Sequence, residues 1–316
     1  MRNGLWKAAG IGALLVGWLV WGHAQQEATY RGSKACALCH RVSHPEIVAA
    51  HSKSAHAHAL AEASAETVVA DFANAPFPRE RVKYVLGSGR QHQAYMDANW
   101  RVLPGKWSVK EKKWLPQEEV DGRSQCVPCH VTGLDVKTLE WKEMNVGCEA
   151  CHGPGSLHLL NTKTGILVLR SLAEKDPHRA AMVCGQCHSR GHDPSGKFPF
   201  PAGFKPGEDL GKFFVDAQPK EAGMNQQFSE LIQSPKHWKN GVVCMTCHEA
   251  HGNTDQPTML RKPINELCLD CHKATVKDIP SHAQEKGVKA PAGATCATCH
   301  MPEGRHLFDK SIVPKE

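Results

Sequence analysis

The chain has 316 residues, with 38 Lys and Arg against 32 Asp and Glu, a formal charge of +6 and 6% aromatic residues. Lysines and acids are interspersed without basic blocks, and loss of residues 1–24 would remove Arg2 and Lys7, so a nucleic-acid or anionic-membrane partner is not supported. What demands a chemical explanation is the census of 14 Cys and 20 His.

Arg2 and Lys7 form a basic head, residues 8–21 an apolar stretch broken by Gly10, Gly12 and Gly17, and Gly22-His23-Ala24 a small-residue cleavage site. Residues 1–24 therefore read as a signal peptide, with an uncleaved anchor as the alternative. There is no twin arginine and no Cys at a lipidation position, so the expectation is general export and a soluble protein, periplasmic or extracellular. Next, His44, His51 and His58 are spaced by seven on a segment predicted to be a helix opening at Pro45, with His56 about 140° round from His51. Short strand-like runs follow at Val82–Leu86, Gln93–Met96, Arg101–Leu103 and Lys106–Val109, punctuated by Gly87, Gly89, Pro104 and Gly105, which predicts a small β element near residues 80–110. Five prolines and four glycines between Pro194 and Pro219 predict an irregular connector.

All 14 Cys fall into pairs two residues apart, and each pair is followed at once by His. The motifs are Cys36/Cys39/His40, Cys126/Cys129/His130, Cys148/Cys151/His152, Cys184/Cys187/His188, Cys244/Cys247/His248, Cys268/Cys271/His272 and Cys296/Cys299/His300. This is the haem c attachment signature: two thiols one turn apart reach the two vinyl groups of a porphyrin edge, and the adjacent imidazole lies under the iron. Zinc ribbons and dithiol redox sites use the same Cys spacing but do not require the His. Disulfides suit an exported chain, yet seven tight two-residue loops have no structural rationale. Seven haem c groups, each with iron, are thus expected. With two propionates apiece, ferric haems would contribute about −7 in total, enough to make the holoprotein slightly acidic.

Thirteen His lie outside the motifs, and His23 belongs to the signal segment, so twelve remain for seven distal positions. Every iron has enough imidazole to be bis-His, with Met ligation as the alternative. The motif His are separated by 90, 22, 36, 60, 24 and 28 residues, a one-three-three clustering. The expected fold is mainly α with extensive loops, packed on haem instead of a full apolar core. Its regions would be 25–192 (tetrahaem), 193–230 (connector) and 231–316 (trihaem). Without haem most of it is not expected to fold.

The stretch Cys148-Glu149-Ala150-Cys151-His152-Gly153-Pro154-Gly155-Ser156, ending in His158, resembles multihaem cytochromes related to the tetrahaem cytochrome c-554. Cys126–His130 with Val131-Thr132-Gly133 and Trp141, and Ser54-Ala55-His56-Ala57, are similar to the same family. Ser234-Pro235-Lys236-His237, Cys244–His248 with Glu249-Ala250-His251-Gly252, and the two later motifs with His282, Met301-Pro302 and His306 resemble doubled-motif cytochromes. The resemblance implies distal ligands at His56 (over His51), His158, His237, His251, His282 and His306. His92 would be the seventh, with His178 or His192 as replacements. It also implies either a carrier or a redox enzyme. The carrier reading passes electrons from a quinol-oxidising or periplasmic donor to a reductase or outer-surface acceptor, alone, self-assembled or in a larger cytochrome complex. The enzyme reading needs one open haem acting on a small nitrogen or sulfur compound. Against it, no motif replaces its His with Lys, and Tyr is scarce (Tyr30, Tyr84, Tyr95).

Overall fold

Residues 27–221 and 223–308 are described by a computed structural model of the chain; the expected signal peptide lies outside them. The first motif sits in helix α1 (Ser33–Ser43), which stops at His44 in a non-helical conformation so that Pro45 opens α2 (Pro45–Ser52) at its first position, as expected. The helix does not reach His58. The chain leaves it at Lys53, Ser54 Oγ accepts the Ala57 N–H at 3.3 Å, and His56–His58 forms a single 3₁₀ turn. The expected seven-residue stripe of His therefore holds only for His51 within α2, and His58 is displaced from it.

A five-stranded antiparallel meander follows, made of β1 (Leu60–Glu62), β2 (Tyr84–Leu86), β3 (His92–Met96), β4 (Val102–Ser108) and β5 (Lys113–Leu115). The predicted β element is real but broader than residues 80–110. Successive side chains alternate between faces. Leu60, Leu86, Met96 and Val102 pack with Val127 and Val131 on one face, while Val85, Tyr95, Leu103 and Trp107 pack with Phe77 on the other. Pro104-Gly105 does not end a strand. The register shifts where Leu103, Pro104 and Gly105 of β4 stand opposite Tyr95 alone of β3, and this bulge in β4 removes the need for the missing N–H of Pro104. Gly105 is required because an added Cβ would lie 2.6 Å from Pro76 Cγ.

Most remaining elements are short and built on the motifs. They include α3 (Gly122–Gln125), β6 (Val131–Thr132) paired with β7 (Glu143–Met144), α4 (Cys148–His152), α5 (Ser156–Leu160) and α6 (Leu169–Lys175). Then comes α7 (Pro177–Gly185), with Pro at its start and Asp176 accepting the Arg179 N–H at 2.9 Å. The Pro/Gly-rich segment is irregular but packed. It pairs β8 (Gly191–His192) with β9 (Val215–Asp216), and its Leu210 and Phe214, with Phe228 just beyond, close a core with Ala181 and Val243. The chain finishes with α8 (Gln227–Leu231), α9 (Pro235–Lys239), α10 (Cys244–Cys247), α11 (Ile264–His272), α12 (Ile279–Glu285) and α13 (Cys296–His300). Beyond α8 the buried apolar side chains among the described residues are Val243, Ala283 and Leu307, too few to hold five helices together. Among the described residues no helix is long and apolar enough to cross a membrane.

Candidate haem sites

All fourteen cysteines are free thiols, and among the described residues no three His, Cys, Asp or Glu side chains converge on a point where a metal ion would be held. Eleven of the thiols line one cavity of about 3180 Å³, several times the roughly 300–1,000 Å³ of an ordinary small-molecule site. The motif His of the first six motifs line it as well. A void of this size, walled by paired thiols and imidazoles, fits several porphyrins side by side and fits no set of tetrahedral zinc sites.

The seventh motif sits at the border of the cavity. Cys296, Cys299 and His300 are all off the cavity wall, and so is His282. Thr295, Ala297 and Thr298 of α13 and its N-cap do line it, so α13 borders the cavity while its motif side chains are turned off the wall. Cys126 of the second motif is also off the wall, packed instead against the apolar face of the sheet that carries Met96 and Val127, while its companion Cys129 does line the cavity.

The imidazoles are placed in opposed pairs. An imidazole nitrogen lies about 2 Å from a first-row metal and the ring centre about 1 Å beyond, so two rings across one metal ion have centres roughly 6 Å apart. The structure brings together His40–His158 at 6.4 Å, His188–His56 at 6.2 Å, His152–His251 at 6.1 Å, His272–His237 at 6.1 Å, His248–His306 at 6.2 Å and His300–His282 at 6.3 Å. Each pair joins one motif His to one of the distal candidates.

Which ring nitrogen is tied down sets several of these His apart from His51, His58 and His178. A backbone carbonyl only accepts, so a ring nitrogen bonded to one carries the proton and leaves the other bare. Nδ1 donates to Ala59 O from His130 (2.7 Å), to Leu167 O from His152 (2.7 Å), to Thr258 O from His248 (2.9 Å), to Thr164 O from His158 (3.1 Å) and to Gly304 O from His306 (2.9 Å). Nε2 is left free in each. The opposite holds for His51, His58 and His178, whose Nε2 donates to Val146 O (3.0 Å), Ser52 O (2.9 Å) and Trp238 O (2.7 Å). Those three have spent the nitrogen a metal would need. Burial pushes His56 and His306 down to about 4, keeping both imidazoles neutral and competent to ligate at pH 7.

The second motif stands apart. No imidazole faces the His130 ring at the separation of the other six pairs among the described residues, and His92 is not brought into such a contact. His92 nevertheless lines the same cavity, and its buried Nδ1 has no hydrogen-bond partner. His192 is exposed and off the cavity wall, with Nδ1 bonded to Asp193 O at 2.7 Å.

Thiol contacts give the motifs an order. Cys36 lies beside Cys148, Cys129 beside Cys187, Cys184 beside Cys244 and Cys268 beside Cys296, close enough for one thiol of each pair to perturb the ionisation of the other. Cys151 faces Cys184, and Cys247 faces Cys271, closely enough that each neighbour's charge disfavours the thiolate. The line runs through motifs one, three, four, five, six and seven, with motif two branching from motif four. At the seventh motif it is Cys296 that makes the link, and Cys299 lies one turn further along α13.

Two buried carboxylates missed by the sequence reading hold this arrangement. Glu149, inside the third motif and fully buried, accepts the N–H groups of Arg31 (2.8 Å), Gly32 (2.6 Å) and Gly155 (2.6 Å), fixing the entry to α1 against α4. Glu230 accepts from Arg305 Nε (2.9 Å) and from the His306 N–H (2.8 Å), setting the backbone beside His306. Their only sequence signal is an acid embedded next to a motif or a paired arginine. Glu149→Ala leaves three donors without an acceptor, so a loss on the order of 3 kcal/mol is expected. Thermal unfolding of the holoprotein followed at the haem absorption band checks it.

Comparisons with known proteins point to multihaem cytochromes. Residues 90–153 match the family described as cytochrome c554 and c-prime, and residues 237–277 match the doubled CXXCH motif. Among curated proteins, the chain is 25% identical over 194 residues to the cytochrome c nitrite reductase subunit NrfA of Nitratidesulfovibrio vulgaris, covering 51% of this chain and 34% of that one. It is 28% identical over 180 residues to the dissimilatory sulfite reductase MccA of Wolinella succinogenes (50% and 22% covered). It is 24% identical over 198 residues to the multihaem cytochrome MtrA of Shewanella baltica (58% and 46% covered). The chain thus spans less than half the length of each of these relatives. In fold it is similar to the outer cell wall cytochrome OcwA, at a TM-score of 0.62 and 22% identity, covering 88% of this chain and 79% of that one. It is also similar to an undecahaem cytochrome from the S-layer of Carboxydothermus ferrireducens, at a TM-score of 0.53 and 23% identity, covering 90% and 52%.

Proposed function

Starting from a chain that is a multihaem c-type cytochrome resembling the cytochrome c-554 and doubled CXXCH proteins, we propose that it is an exported heptahaem electron-transfer protein. Bound haem supplies the one-electron ferric–ferrous couple. The chain supplies everything else: fourteen thiols for attachment, a motif His on one side of each site and, at six of the seven, a second imidazole on the other. The observation that carries the reading is the set of six opposed imidazole pairs at 6.1–6.4 Å, the spacing of a shared metal ion. Sites closed on both sides exchange electrons and exclude substrates. The thiol-linked order of motifs supports a continuous path, and close packing favours transfer along it. Donor and acceptor are redox proteins, a quinol-oxidising or periplasmic donor and a reductase or outer-surface acceptor. The tetrahaem and trihaem regions, 25–192 and 231–316, and the signal peptide at 1–24 belong to the same proposal.

A second reading rests on His130. A motif His with a bare Nε2 and no opposing imidazole leaves one haem open to a small nitrogen or sulfur compound, with the remaining six feeding it electrons. Pyridine haemochrome quantification and low-temperature electron paramagnetic resonance test both readings together. Seven haems per chain with at least six low-spin signals is the expected outcome. Fewer than six low-spin centres would overturn the paired-imidazole reading.

A further inference from the structure

Four of the paired imidazoles, His152, His158, His248 and His306, donate Nδ1 to a backbone carbonyl, and His188 donates it to the neutral Gln227 Oε1 at 3.1 Å. His251 differs: its Nδ1 meets a carboxylate, Glu249 Oε1, at 3.2 Å. The other oxygen of that carboxylate, Oε2, pairs with Arg261 Nη1 at 3.2 Å. Arg261 Nε donates in turn to Met245 O (2.8 Å) and His248 O (3.1 Å) of the fifth motif, and the Glu249 N–H donates to Met259 O at 2.7 Å. The acid is therefore fixed at both ends. Glu249, His251 and Arg261 all line the cavity, and Glu249 is 24% exposed, so solvent screens the contact only in part.

His251 faces His152 of the third motif at 6.1 Å, with ring planes 7° apart. An acid that directly follows the fifth motif thus reaches the imidazole opposite the third. The third motif is also the bridge from the first to the rest of the line, since Cys148 lies beside Cys36 and Cys151 faces Cys184. We propose that Glu249 is a positioning residue for the third haem site, fixing the tautomer of His251 and holding the reduction potential of that site down. The proposal rests on the electron-transfer reading and names what sets the energy of one step along the path. An Nδ1–H that donates to a carboxylate leaves Nε2 bare for iron and makes the imidazole a more basic ligand. A more basic ligand and a nearby negative charge both favour ferric over ferrous iron, and Arg261 offsets part of that charge. An electron passing between the first and fourth sites crosses the one that this carboxylate disfavours for it.

The test is a spectropotentiometric titration of the haem-loaded chain, with low-temperature electron paramagnetic resonance on samples drawn along it. Glu249→Gln keeps an acceptor for Nδ1 and removes the charge. One component should then shift toward the ferrous form by about tenfold in its reduction equilibrium, about 59 mV for a one-electron couple, and stay low-spin. Arg261→Gln removes the countercharge and should move the same component the opposite way. The signal that moves should be the one lost from the low-spin set in His251→Ala, which assigns it to the third site. Glu46 also lines the cavity and makes no hydrogen bond to a paired imidazole among the described residues, so Glu46→Gln should leave every component in place. The proposal is overturned if Glu249→Gln moves nothing, if Glu46→Gln moves a component as far, or if the signal that moves persists in His251→Ala. A shift of both Glu249→Gln and Arg261→Gln in one direction also overturns it. Should Glu249→Gln fail to take up its haems, Arg261→Gln decides alone: a fall in potential supports the proposal, and a rise or no change overturns it. High-spin iron in place of paired low-spin centres in the unmodified protein would instead strike the electron-transfer reading itself.

Discussion

Made without haem attachment, the chain is expected to keep its five-stranded sheet and to lose ordered structure from α9 to α13. The two regions differ in what holds them together. One face of the sheet carries its own aromatic core: Phe72, Phe77, Tyr95 and Trp114 sit with ring centres 5.2–6.1 Å apart, in edge-on and tilted contacts. Burying aromatic residues of this size supplies about 1.5–3 kcal/mol each, which is enough to hold a meander whose strands also pair through their backbone. After α8 only Val243, Ala283 and Leu307 are buried apolar residues among those described, while the helices there surround a cavity. Short helices of four to nine residues are not stable alone. The porphyrin faces therefore serve as the core of the C-terminal half, as a structural metal does in a small metal-dependent domain. Amide hydrogen exchange on chain produced in the cytoplasm checks this. Residues 84–108 should exchange slowly and residues 235–300 at the rate of an unfolded chain. Protection of α11 or α13 in the haem-free chain would show that some other contact holds that region.

The attachment motifs and most of the paired imidazoles were legible because covalent chemistry leaves an unambiguous pattern. Two thiols and a His at fixed spacing have few other uses, and the resemblance named the six facing imidazoles without saying which motif His each one faces. Spacing alone did not show that Cys296, Cys299 and His300 are turned off the wall of the cavity that α13 borders, because all seven motifs read alike. The identity of the partner for His188 was not legible. His56 precedes it by 132 positions and comes to it only because the turn at His56–His58 and the fourth motif meet across the cavity. Nor did spacing separate His56 from His51. That decision lies in which nitrogen finds a carbonyl, Val146 O for His51, and a carbonyl carries no residue type to read. The sheet was underestimated for a related reason. Pro104-Gly105 has the composition of a turn, and only the bulge it forms in β4 opposite Tyr95 allows the strand to continue. The Pro/Gly-rich segment likewise reads as a loose connector until Leu210 and Phe214 are seen to close onto α7.

The ring-nitrogen assignment makes its sharpest prediction with carbon monoxide, which binds ferrous haem only where an axial position is open or weakly held. The fully reduced protein is expected to respond at one haem in seven, the one carried by Cys126, Cys129 and His130. His56→Ala should add a second responding haem, because the His188 ring then faces nothing. His51→Ala should add none, since His51 has committed its Nε2 to Val146 O and at most loses that hydrogen bond, about 1 kcal/mol of stability. His92→Ala separates the two readings of function. If the unmodified protein does not respond and His92→Ala creates one responding haem, His92 closes the seventh site in the holoprotein and the chain is a carrier throughout. If the unmodified protein already responds and His92→Ala changes the affinity without changing the number of responding haems, His92 stands beside an open iron as a hydrogen-bonding group. The buried, unpartnered Nδ1 of His92 and the lack of an imidazole opposite His130 among the described residues favour the second outcome, and small nitrogen and sulfur oxyanions would then be the substrates to assay.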